Sequence, residues 1–133
     1  MKKKILVTRK IMDSAEERLK KKFDVFLNEK DIPIKNEDFA KIANQYDAMI
    51  CSGWDKLDKS FFNKLNDKLQ IIAGIGIGYD NIDVESAKNK KIIITNSPNK
   101  SNDAVAEVTI FLLIGAARKA YEGIKIVKSD KWK

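Results

Sequence analysis

Residues 73–83 of this 133-residue chain read AGIGIGYDNID, in which Gly74, Gly76 and Gly78 alternate with Ile75 and Ile77. Glycines admit a positive φ and let another group approach the backbone closely. The chemistry such a stretch offers is therefore backbone chemistry, N–H groups turned together toward an anion. A dinucleotide fingerprint, G-x-G-x-x-G, is not met. Counted from Gly74 the third glycine falls at Tyr79, and from Gly76 it falls at Asn81. The acidic residue expected about 20 positions on is replaced by the uncharged Asn96. No Gly-Lys-Ser/Thr follows, so a P-loop fails as well. Two readings remain open on the residues alone. Either Ile77 and Gly78 present amides to a small anion, with Gly76 allowing its approach, or the glycines pack a strand tightly on a helix with no ligand.

The other chemically capable residues are few. Asp80 and Asp83 follow the glycines, and the spacing predicts that Asp83 caps a helix while Asp80 bonds turn amides. With no second acidic cluster beside them, no metal site is expected. The ICSGW run, 50–54, carries the single cysteine. The chain contains no histidine, so Cys51 lacks the usual activating base and reads as a small buried thiol. Ser52 and Gly53 are placed instead as residues lining a ligand loop.

These groups must be held by a scaffold, and the composition bounds it. With 44% hydrophobic and 34% charged residues, the chain has the make-up of one globular domain with its own core. The net charge of +7 is spread as lysine through nearly every segment, and the only arginines are Arg9, Arg18 and Arg118. Nucleic-acid readers cluster their basic residues, so no nucleic-acid partner is expected. No apolar run reaches the length of a membrane span, no signal peptide is recognised, and one cysteine fits a reducing, cytoplasmic setting.

Apolar β-branched runs recur between helical patterns. Strands are predicted at 4–8, 24–28, 47–51, 70–76 and 91–95. A helix is predicted after Asp13 and Glu16, spaced as a capping box, and another from an N-cap at Asn36. Short helices capped by Asp58 and Asp83 follow, and then a long helix from about Asn102 to Glu122. This alternation predicts an α/β, flavodoxin-like, doubly wound parallel five-stranded sheet over 1–101. The segment 102–133 is predicted to be a long interdomain helix and the start of a linker. Residues 104–117 are apolar nearly all round, so this helix needs a second surface to cover it. Either a second copy of the chain, making a homo-oligomer, or a separate cofactor domain would serve.

The runs VTRKI, GIGYDNIDVESAKNKKIIITNSP and AVAEVTIFLLIGAARK together resemble the D-isomer-specific 2-hydroxyacid dehydrogenases, with the glyoxylate/hydroxypyruvate reductase branch nearest. The resemblance runs the length of the chain, down to KSDKWK. It implies the substrate-binding domain of an NAD(P)-dependent oxidoreductase acting on the CH–OH group of small 2-hydroxy acids. In that frame Ser52, Gly53, Gly76, Ile77 and Gly78 bind a small 2-keto or 2-hydroxy acid, the amides of Ile77 and Gly78 holding its carboxylate. Asn102, where many relatives have threonine, and Val105 lie near the nicotinamide end of NAD or NADP. The family's nucleotide loop and its catalytic Arg, Glu and His have no counterpart here. The chain is therefore expected to be truncated and inactive alone, with no tight cofactor binding. The alternative is a stand-alone small-carboxylate-binding module without catalysis.

Overall fold

The computed structural model describes residues 1–99 and 101–129. The chain divides into two units, Met1–Pro98 and Asn99–Lys133.

The first unit alternates strand and helix: β1 (Lys4–Val7), α1 (Asp13–Lys22), β2 (Asp24–Leu27), α2 (Asn36–Ala43), β3 (Ala48–Cys51), α3 (Lys59–Asn63), β4 (Ile71–Gly74), α4 (Val84–Asn89) and β5 (Ile93–Thr95). All five strands are parallel, in the order β2-β1-β3-β4-β5. The predicted α/β sheet is present. Its register aligns Leu6, Met49, Ile72 and Ile94 in one row across the sheet. Leu6, Met49 and Ile72 are fully buried in one cluster with Phe39, Phe61 and Ala87 of α2, α3 and α4. Burying each of the three strand side chains contributes about 1.5–3 kcal/mol. Because β1 leads to β2 on one side and lies beside β3 on the other, the strand order reverses between β1 and β3. Open α/β sheets bind ligands outside the carboxyl ends of the strands at such a point.

Several local expectations are corrected. The fourth strand ends at Gly74, so Gly76 and Gly78 belong to the loop beyond it. Asn36 is the first residue of α2 and not its cap, which is Lys35. Asp13 and Glu16 form no capping box, since Asp13 lies inside α1 and Met12 offers no side-chain bond. Asp58 and Asp83 do cap α3 and α4, accepting from the amides of Phe61 and Ser86.

The second unit holds α5 (Asn102–Ala117) and α6 (Ala120–Lys128). The single helix expected to Glu122 is broken at Arg118–Lys119, where Lys119 takes φ 52°. That left-handed residue ends one helix and caps the next. α5 buries no residue, and Phe111 and Leu113 are about 70% exposed. The end of the expected linker, residues 130–133, lies outside the described residues. No helix among the described residues is long and apolar enough to cross a membrane.

Candidate functional site

The loops leaving β1, β3 and β4 meet at the carboxyl edge of the sheet. Arg9, Ser52, Gly53, Trp54, Ile75 and Gly76 line a groove of about 300 Å3 there. Three of the five substrate-site residues read from sequence, Ser52, Gly53 and Gly76, therefore share one wall system. Ile77 and Gly78 continue from it.

The β3 loop is built around a buried carboxylate. Asp55 is only 6% exposed, and its Oδ2 accepts from Thr8 Oγ1 at 2.6 Å, from the Ser52 amide at 2.7 Å and from Ser52 Oγ at 3.1 Å. Ser52 Oγ in turn accepts from the Trp54 amide at 3.3 Å. The Ser52 hydroxyl is thus engaged inside the loop and shapes the groove without offering it a free donor. Asn81 ties this loop to the glycine loop. Its Nδ2 donates to the carbonyls of Ser52 and Asp55 at 3.1 and 2.8 Å. A parallel bridge between Leu57 and Ile82 fastens the same two segments.

The glycine loop is held from its other side. Ser97 N donates to Gly76 O at 2.9 Å and Asn96 Nδ2 donates to Ile77 O at 2.7 Å. The amides of Gly76, Ile77 and Gly78 donate to no group among the described residues. No glycine has a positive φ among the described residues. A Cβ on Gly53 would meet nothing within 4 Å, and one on Gly76 only Gly78 O at 3.6 Å. Neither backbone conformation nor internal packing demands glycine at these positions. Asp80 makes no described hydrogen bond to the turn, so its expected role there is not met; its Oδ2 lies instead where a Gly78 Cβ would touch it, at 3.4 Å.

Arg9 sits on the β1 side with its guanidinium paired to Asp31, Nε–Oδ1 2.7 Å and Nη2–Oδ2 3.1 Å. Asp31 also accepts from the Lys10 amide. The bonds from Arg9 and from that amide pull the Asp31 carboxyl down to about 2. Asp31, in turn, raises Arg9, with a smaller pull from the charge of Asp55. Cys51 is fully buried, and burial followed by the Asp55 charge pushes its thiol up to about 12. It is a packing residue, as its sequence context indicates.

Dinucleotide folds seat the pyrophosphate at the N-terminus of the first helix. Here the segment leading to α1 is occupied by the chain's own carboxylate: Glu16 accepts from Ile11 N at 3.4 Å and from Lys10 Nζ at 3.0 Å. The β1–α1 loop, Thr8 to Met12, has no glycine. The described residues of this unit do not fit a dinucleotide. Asn102 and Val105 lie in the other unit, in the first turn of α5, where Asn102 Nδ2 donates to Asn99 Oδ1 at 3.3 Å.

Thr8, Asp55, Asn81 and the Arg9–Asp31 pair were not identified from sequence as parts of the site. The Thr8–Asp55 contact spans 47 residues and Asn81–Ser52 spans 29, so no local pattern announces either.

Residues 5–129 match the family model for the D-isomer specific 2-hydroxyacid dehydrogenase catalytic domain. A glyoxylate reductase of Pyrococcus horikoshii is 36% identical over 135 residues, covering 100% of this chain and 40% of that protein. The crystal structure of a glyoxylate reductase from Paecilomyes thermophila matches 98% of this chain and 43% of its own at 30% identity, with a TM-score of 0.76. An NAD+-bound 3-phosphoglycerate dehydrogenase of Entamoeba histolytica matches 91% of this chain and 41% of its own at 29% identity, with a TM-score of 0.74. The chain spans about 40% of the length of the curated relatives it matches.

Proposed function

The chain belongs to the D-isomer specific 2-hydroxyacid dehydrogenase family, and from that membership we propose that it supplies the substrate-holding part of an NAD(P)-dependent oxidoreductase acting on small 2-hydroxy acids. The observation that carries this reading is the set of free amides at Gly76, Ile77 and Gly78, on a loop braced by Asn81, Asn96 and Ser97. Successive N–H donors without internal partners on a braced turn are available to an anion, and a carboxylate can accept from two of them at once. In this role Ile77 and Gly78 hold the carboxylate, while Ser52, Gly53 and Gly76 shape the wall around the rest of the acid. Asn102 and Val105 are assigned to the nicotinamide side of a cofactor carried outside the described residues.

No step of hydride or proton transfer is assigned to this chain. It has no histidine, its one cysteine is buried and held neutral, and its first βα loop does not fit a nucleotide. Binding without turnover is therefore the expected behaviour of the 133 residues. The same observations favour a second reading, a carboxylate-binding module that acts without catalysis.

Amide NMR on the full chain tests the shared part of both readings. Adding glyoxylate or glycolate should shift the Ile77 and Gly78 amides, while glycolamide should not. Ile77→Pro removes one donor and should weaken binding by roughly tenfold or more. No shift at either amide refutes the carboxylate grip. Reduction of glyoxylate by NADH or NADPH with the purified chain would show instead that catalysis is complete within it.

A further inference from the structure

We propose that the groove beside the glycine loop selects the side chain of the acid, and that its substrates are 2-keto or 2-hydroxy acids with a sizeable apolar or aromatic side chain. This rests on the carboxylate grip proposed above and names the substrate class of that same site.

Trp54 carries the inference. Trp54 is 88% exposed, although tryptophan ordinarily buries most of its large apolar face. It does not swing on a loose loop. The Trp54 amide donates to Ser52 Oγ, Ser52 is held by Asp55, and Asn81 locks both their carbonyls to the glycine loop. The backbone that carries the indole is therefore held against the glycine loop, and the ring is free to lie along the groove. Beside it the wall is apolar and empty: Gly53 faces open space where a Cβ would sit, and Ile75 is half exposed.

Size and charge point the same way. The groove holds about 300 Å3, at the lower end of the range for small-molecule sites. The groove is open to solvent, so an acid with a side chain larger than hydrogen has room to lay it along this wall. At the other wall the guanidinium of Arg9 is paired through two hydrogen bonds with the carboxylate of Asp31. Lys10, which lines the same end, is paired in turn with Asp13 and Glu16 at 2.7 and 3.0 Å, so the charges there are offset and that end is polar without calling for a second formal anion such as a phosphate. An aromatic face packing on tryptophan gains contact area and stacking that a smaller acid lacks.

The test is a titration of the full chain followed at the Ile77 and Gly78 amides and at the Trp54 indole N–H, with Trp132→Phe to assign the indole signal. The probes are glyoxylate, 4-methyl-2-oxopentanoate and 4-phenyl-2-oxobutanoate. Affinity should rise at least about tenfold from the first to the last, the increment a few buried carbons supply. Trp54→Ala should collapse that ratio and Trp54→Phe should keep most of it. Equal affinity for all three acids, or a Trp54→Ala variant that weakens all three by the same factor, overturns the side-chain assignment and leaves the carboxylate grip standing. No amide shift with any acid up to about 50 mM overturns both.

Discussion

Replacing Asp55 by alanine should do more damage than any other single change at the sheet edge. Its Oδ2 accepts three hydrogen bonds, from Thr8 Oγ1, Ser52 N and Ser52 Oγ, at 2.6, 2.7 and 3.1 Å. Bonds to a charged acceptor are worth about 1.5–3 kcal/mol each. In the alanine variant the Ser52 hydroxyl can turn elsewhere, but the Ser52 N–H is fixed by the backbone. The Thr8 hydroxyl is fully buried. Two stranded donors, less the relief of no longer burying a carboxylate, give an expected loss of about 2–4 kcal/mol. Thr8→Val keeps the shape of the side chain and removes one donor, for about 1–2 kcal/mol. The double variant is the sharper measurement. Once Asp55 is gone the Thr8 hydroxyl is a liability, so Thr8→Val should cost almost nothing in that background. The expected coupling is about 1–2 kcal/mol. Urea unfolding followed by far-UV circular dichroism reads it as a shift in midpoint at constant slope. Additivity within about 0.5 kcal/mol, or an Asp55→Ala loss below about 1 kcal/mol, would show that this carboxylate does not organise the loop.

Other perturbations follow from the same geometry. Asp31 titrates at about 2 in the folded chain against an ordinary 3.8, chiefly through its bond from Arg9. Its folded value is depressed, so its contribution is present above about pH 4 and is lost as pH falls through 2; carbon NMR of the Asp31 carboxyl should give a midpoint near 2 that moves up in Arg9→Gln. Cys51, held near 12, should react with a disulfide reagent at pH 8 at least about a hundredfold more slowly in the folded chain than in urea, and equal rates would contradict its burial. The exposed apolar surface of α5 should drive self-association through 104–117. Light scattering is expected to show an oligomer that Leu112→Glu with Phe111→Lys dissociates, and a monomer at high concentration would remove the case for that interface.

The sheet was legible because its signal is local. The runs KILV, AMIC and IIAG are short, apolar and flanked by helical patterns, and this rhythm allows few topologies. Helix ends were less legible. Asp58 and Asp83 cap where their types suggest, but Asp13 lies within α1 and Asn36 within α2, because an N-cap preference does not outweigh where the chain actually turns. The break at Arg118–Lys119 carries no glycine or proline to announce it. At the site, the glycine loop was visible as composition, whereas its bracing was not. Asn81 could be seen as one more turn residue after the glycines, yet its bonds reach back 26 and 29 residues. Asp55 follows a tryptophan in an unremarkable loop, and only the parallel pairing of β1 with β3 brings it to Thr8.

The glycines themselves are where sequence and structure inform each other most. On the residues alone they could serve tight packing or a ligand, and packing makes a definite demand: a Cβ must clash or a φ must be positive. Neither holds. Gly53 faces open space, Gly76 has room for a methyl group, and no glycine takes a positive φ among the described residues. A glycine at such a position gives up side-chain contacts and adds backbone entropy to the unfolded chain for no internal return. The carboxylate grip proposed above would supply such a return, since the amides of Gly76, Ile77 and Gly78 donate to no group among the described residues. On the proposed function, a small acid seated by its carboxylate needs the backbone bare at this point. That makes Gly76→Val a discriminating change: it should fold with little loss of stability, since its Cβ has space, yet weaken binding at Ile77 and Gly78 severalfold by occupying the ligand's path. A stable variant that binds as well as the original would return the glycines to a role in packing that the structure does not display.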